Sequence, residues 1–196
     1  MPPSTISPTL IPSSPHPPKA RVKSLDSSAI PAAAAAGTTV RLFLSGLRGG
    51  HSGINIGEGR ADSIVLGGRI LYDLLRERQD LRLVSVHGGD KHNAIPREFA
   101  AELLLPSEGA AGGVAAVESW IEGVRDKLAE ELADIEPAFS LSVETVENPS
   151  AVPMDRSSSE RIARLLASLP HGVLAMSRAV EGLVETSTNL AAVLPF

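Results

Sequence analysis

The residues of this chain best suited to chemistry lie in two short stretches. The first is Ser45-Gly46-Leu47-Arg48-Gly49-Gly50-His51-Ser52-Gly53, with four glycines and a single imidazole. Glycine is used where a backbone must take a positive φ or come very close to something else. His51 is therefore expected to be presented on a turn rather than buried. The second stretch is Gly88-Gly89-Asp90-Lys91-His92-Asn93-Ala94-Ile95-Pro96-Arg97-Glu98. Asn93 offers a donor and an acceptor, and Arg97 offers a planar cation. We read the two stretches as one polar surface acting on a ligand held mostly by another protein segment. His51, Asn93 and Arg97 are the candidate functional residues on it.

Each of these residues also has a plain structural role open to it. Asparagine shapes turns through local hydrogen bonds, and the residue before a proline is pushed extended. Arg97 can be an ordinary surface cation. Other chemistries fit less well. Gly57 and Gly59 begin a G-x-G-x-x-G spacing, but Asp62 stands at its sixth position, an anion where a pyrophosphate would sit. No Walker-type lysine follows. His51, His87, His92, Asp90 and Glu98 are conceivable metal ligands, yet no H-E-x-x-H occurs and Lys91 and Arg97 stand among them. Solvated loop polarity explains them better. His51-Ser52 is no nucleophile and base either, because adjacent residues rarely reach hydrogen-bond geometry and no G-x-S-x-G elbow is present.

Composition narrows the class. Only 3% of the residues are aromatic while 43% are hydrophobic, so Leu, Val, Ile and Ala must build the core. A net charge of −5 argues against nucleic acid as partner. Without cysteine there is no disulfide framework and no thiolate metal site. No apolar run approaches the ~20 residues of a membrane helix.

Residues 1–37 differ from the rest. Seven prolines fall within residues 1–18, followed by Ser- and Ala-rich tracts. Such a segment buries too little apolar surface to offset ordering entropy, so we expect it to be disordered. Lys19, Arg21 and Lys23 precede the first acidic residue, Asp26, which leaves an organelle transit segment as the alternative to a cytoplasmic location.

The elements that must position the two loops follow from periodicity. Residues 38–44 alternate as a strand, with Val40, Leu42 and Leu44 on one face. Residues 60–79 carry a helical apolar face, within which Gly67 and Gly68 imply close backbone packing. Strands are expected at 81–86 and 98–105. A helix follows at 114–132, and Phe139, Leu141, Val143 and Thr145 mark a fourth strand. This β-α-β-β-α-β order is the split βαβ pattern, an α+β fold with an antiparallel four-stranded sheet and two helices on one face. After Pro149, Ser157 and Glu160 read as a capping box for a further helix ended by Pro170. Residues 182–193 read as a last strand with nothing natural left to pair with. The expected divisions are a tail at 1–37, a core domain at 38–148, and a helix-strand extension at 149–196.

Taken together with Gly182-Leu-Val-Glu-Thr-Ser-Thr-Asn-Leu-Ala191, the two loops resemble the aminoacyl-histidine dipeptidases. These are PepD-type, carnosinase-like members of the zinc aminoacylase/dipeptidase superfamily. The three motifs occur in that family's order and spacing, and the resemblance covers only its ferredoxin-like lid, or dimerisation, domain. It implies a zinc-dependent hydrolase of Xaa-His or related short peptides. The zinc ions, and the H-x-D and Glu-Glu ligand segments, belong to a separate catalytic domain without a counterpart here. By this resemblance His51 matches the lid histidine that stabilises the oxyanion in a partner subunit's site. Asn93 matches the polar lid residue that contacts substrate. The chain is then expected to pair with itself or with an intact dipeptidase subunit, to bind no zinc, and to be inactive alone as a fragment or divergent product. The competing expectation is a non-catalytic ferredoxin-like interaction module.

Overall fold

The computed structural model describes residues 36–107, 112–147 and 152–194. The proline-rich segment and the transit expectation therefore lie outside the described residues. The chain runs β1 (Gly37–Ser45), β2 (Gly50–His51), α1 (Ser63–Glu77), β3 (Arg82–Gly88), β4 (Ala94–Ile95) and β5 (Phe99–Pro106). It continues through α2 (Gly113–Leu132), β6 (Ser140–Val146), α3 (Arg156–Ser168), β7 (Gly172–Met176) and β8 (Val184–Thr188).

β1 is the axis of the main sheet. It pairs antiparallel with β5 on one side and β6 on the other, and β3 joins outside β5, giving the order β3-β5-β1-β6. Alternation fixes the faces. Val40, Leu42 and Leu44 stand opposite Leu103, Ala101 and Phe99 on β5, and Leu42 and Leu44 stand opposite Val143 and Leu141 on β6. These side chains share the core with the apolar stripes of α1 and α2, while Arg41 and Phe43 point to the other face. There Arg41 bridges Glu102 of β5 and Glu144 of β6, at 2.8 and 3.0 Å. The expected α+β architecture is the one observed.

α1 begins where Asp62 caps it. The Asp62 carboxylate accepts from the N–H groups of Ile64 and Val65 at 2.8 and 3.2 Å, satisfying donors the helix leaves open. The Gly67-Gly68 pair serves close packing, as expected. A Cβ at Gly67 would overlap the Phe99 ring, and one at Gly68 would lie 2.6 Å from Leu166 Cβ of α3.

Two local expectations, the cap of α3 and the unpaired last strand, are corrected, and β3 is irregular. β3 does not alternate cleanly: the register shifts between Leu83 and Ser85, so Leu83 and Val86 share the core while Val84 is also buried. α3 is capped by Asp155, whose side chain accepts from Ser158 N–H at 2.7 Å, rather than by Ser157. Glu160 pairs instead with Arg156, one turn away, at 2.7 Å. The last strand does have a mate: β8 pairs antiparallel with β7, an element the sequence did not announce.

The glycine packing sets a testable sign. Alanine in place of a helical glycine ordinarily stabilises by about 0.5–1 kcal/mol. Gly123→Ala in α2, where an added Cβ meets nothing within 4 Å, should follow that rule. Gly67→Ala should instead destabilise by about 1–3 kcal/mol, because the buried Phe99 ring has no space to move into. Urea midpoints at unchanged slope measure both.

Candidate functional site

The loop from β1 to α1 has few ladder bonds of its own, so its polar groups are met mostly by local side chains. Gly46, at φ 78, sits where a Cβ would overlap the Ala138 carbonyl after α2. The chain then turns into β2, a two-residue strand paired with β4 so that Gly50 faces Ile95 and His51 faces Ala94. This pairing, with the Ser52 N–H donating to Asn93 O at 2.9 Å, fastens the first loop to the second.

Beyond His51 the loop folds back on itself. The His51 N–H donates to Asn55 Oδ1 at 2.9 Å, and His51 O accepts from Ile54 and Asn55 N–H at 3.1 and 2.8 Å. Asn55 Nδ2 donates to Glu58 at 2.6 Å, Arg60 pairs with the same carboxylate, and Arg60 also donates to the Gly49 carbonyl. At the base of the loop the buried Glu136 accepts from the N–H groups of Arg48 and Ala61 at 2.6 and 2.9 Å.

The His51 ring is exposed, and its Nδ1 accepts from the Gly53 N–H at 3.0 Å. With Nδ1 occupied as an acceptor, the neutral ring carries its proton on Nε2. The side chain is thus a donor on a short, tied turn. Asn93 and Arg97 are exposed as well, and both line the same cleft of about 760 Å³ as His51. His87 and Phe43 form part of its wall on the outer sheet face. His92 is exposed and is not among the lining residues.

The third motif closes in on the other two. Asn189 Nδ2 donates to the Ala94 carbonyl at 2.8 Å, and Gly88 exchanges two backbone hydrogen bonds with Val193, at 2.9 and 2.8 Å. The β7–β8 ribbon brings His171 to the start of α1. There its Nδ1 lies 3.1 Å from Asp62 Oδ2 without the alignment of a hydrogen bond.

The residues do not suit a resident metal. Among the described residues no group of three or more His, Cys, Asp or Glu side chains is placed to hold one. A phosphate loop is equally unsuited, because Asp62 already occupies the first N–H groups of α1. Sequence reasoning missed Asn55, Glu58, Arg60 and Glu136. The first three follow His51 closely in the sequence and bond within the same loop. Glu136 contacts a loop 88 residues away in sequence and gave no local signal.

The loop network carries a pH dependence of defined sign. Hydrogen bonding from Asn55, and then Arg60, holds the Glu58 carboxyl below its ordinary value. A lowered folded-state pKa contributes stability above the free-chain value, and that contribution disappears as the pH falls through the folded value. Acidification from about pH 5 to about pH 3 should therefore release the Asn55 side-chain amide resonances toward free positions. Glu58→Gln should leave them already shifted and insensitive to acid over that range, as followed by NMR.

Comparison with known proteins agrees with this architecture. Residues 43–136 match the family model of the peptidase dimerisation domain. The cytosol non-specific dipeptidase of Escherichia coli (strain K12) is 37% identical over 171 residues, covering 86% of this chain and 33% of that protein. The crystal structure of aminoacylhistidine dipeptidase from Vibrio alginolyticus superposes with a TM-score of 0.74 at 36% identity, over 83% of this chain and 32% of that one. The chain therefore spans about a third of the length of these relatives. Among the described residues no helix is long and apolar enough to cross a membrane. The stretch matched by the family model takes in His51, Asn93 and Glu136, and over most of its length the chain is similar in fold to part of the Vibrio alginolyticus aminoacylhistidine dipeptidase.

Proposed function

We propose that this chain acts as the lid and dimerisation element of a metallo-dipeptidase cleaving Xaa-His or related short peptides. In this reading His51 completes a catalytic site whose attacking water and zinc are held by residues outside the chain. The observation that carries it is the Gly53 N–H bond to His51 Nδ1, which leaves Nε2–H free to donate from a residue that lines the cleft. A positioned donor on a rigid turn suits an oxyanion that forms only in the transition state. Asn93, tied to the same turn through its carbonyl, contacts the substrate beside it. Arg97 supplies a further polar contact on the cleft wall. The cytosolic designation of the E. coli relative supports a cytoplasmic setting.

Pairing is proposed through β6. The two edges of the sheet differ. On β3, Leu83 O accepts from Met154 N–H and Leu83 N–H donates to Ser159 Oγ, at 2.8 and 2.9 Å, while Val193 covers Gly88. On β6 no backbone group bonds to anything but β1 among the described residues. An unpaired edge of this length is a template for a second strand. The same edge favours the second reading, a non-catalytic module that only pairs.

Complementation separates the two. The chain alone should hydrolyse no peptide. Mixed with a full-length relative whose own lid histidine is replaced, it should restore Xaa-His hydrolysis, and His51→Ala should lower the restored kcat by roughly 10²–10³-fold. Pairing that survives while wild-type chain gives no rescue favours the module. For the interface, adjacent N–H groups of β6 point to opposite sides. Of Ser142→Pro and Val143→Pro, the one facing the open edge should weaken dimerisation by roughly tenfold or more in sedimentation experiments while the monomer stays folded. The other should unfold the sheet.

A further inference from the structure

We propose that Glu136 is the positioning residue for His51, closing the neck of the loop over residues 48–61 and so fixing where the imidazole stands. The catalytic consequence rests on the dipeptidase reading above; the structural one does not. The Glu136 side chain is buried, with the residue 1% exposed. Each carboxylate oxygen takes one strand of the neck: Oε2 accepts from Arg48 N–H at 2.6 Å, and Oε1 accepts from Ala61 N–H at 2.9 Å. The residue itself is held by the end of α2. Its N–H donates to Leu132 O at 2.7 Å, and its carbonyl accepts from Phe139 N–H at 2.9 Å. Gly46, just before the neck, packs on the Ala138 carbonyl of the same turn. The His51 loop is thus referenced to α2 at its root, and to the Asn93 loop near its tip through the β2–β4 pair.

The chemistry requires a carboxylate at this position. Two N–H groups converge on one side chain, so both of its terminal atoms must accept. A glutamine keeps the shape but turns an amide NH₂ toward one of the two donors. Charge-assisted bonds to backbone N–H groups are also shorter and stronger than neutral ones, in keeping with the 2.6 Å approach. Among the described residues Glu136 makes no salt bridge to any cation. Its partners are the loop itself. Glu136 touches nothing in the cleft and acts only through the loop it closes.

The test is solvent exchange of backbone amides by NMR on the full chain, comparing wild type with Glu136→Gln. The Ser52 and Gly53 amides should exchange roughly tenfold faster or more in the variant, while those of Leu42 and Leu103 in the sheet keep their rates. Glu136→Asp, which keeps the charge but is a methylene too short to span both donors, should give the same selective pattern and serves if the glutamine variant does not fold. Unchanged loop rates, or acceleration of loop and sheet by the same factor, would overturn the proposal. In the complementation mixture Glu136→Gln should lower kcat by up to the order of 10²-fold with KM little changed, because the donor is displaced rather than removed. If the wild-type chain itself gives no rescue, the dipeptidase reading fails and the exchange rates still decide the role of Glu136.

Discussion

A loop that displays a side chain must satisfy its own backbone, because it has no long ladder to do so, and this requirement shapes the region around His51. Buried or half-buried N–H groups left unpaired are costly. The segment between β1 and α1 meets the requirement with side chains: Asn55 for His51 N–H, Arg60 for the Gly49 carbonyl, and Glu136 for the neck. The result is a turn whose bonds are mostly local but whose root is tied to the end of α2 and whose tip is tied to the Asn93 loop. Rigidity of that kind is what a transition-state donor needs, since a misplaced donor loses most of its value.

The sheet supplies the rest of the frame. β1 delivers the first loop and β5 begins just after the second, and the two strands are direct neighbours in register from Gly37–Pro106 to Leu44–Phe99. The loops therefore emerge at one end of adjacent strands. The second loop, entered from β3, is held by Val193 at Gly88 and by Asn189 at Ala94. The strand order places the first two motifs together, and the bonds of Asn189 and Val193 bring the third to them. Burying Phe99 against Gly67 presses α1 close to this end of the sheet, which keeps the Asp62 cap beside the root of the first loop.

Much of this was legible in the sequence. The alternation of Val40, Leu42 and Leu44, the helical stripe from Ile64 to Leu75 and the alternation around Leu141 are strong one-sided burial signals, and they yielded the sheet and its two helices. Gly67-Gly68 announced close packing correctly. The failures have physical reasons. β7 carries Leu174 and Met176 exposed at 57% and 49%, so it lacks the burial pattern by which strands are read. The helix begins two residues earlier than a Ser157 cap would require, so Asp155 caps α3 and Ser157 lies inside its first turn. Glu136 acts across a long sequence separation and leaves no trace in local pattern. His51 and Asn93 stood out by type and setting, but their proposed roles came from the resemblance of the three motifs, not from the residues alone.

The most direct measurement is a crystal structure of this chain in complex with a full-length relative lacking its lid histidine, with a phosphinic analogue of the tetrahedral intermediate bound. The account predicts His51 Nε2 within about 2.7–3.1 Å of a phosphinyl oxygen in the neighbouring subunit's site, with Asn93 alongside. A bound analogue with the His51 ring turned to bulk solvent would contradict it.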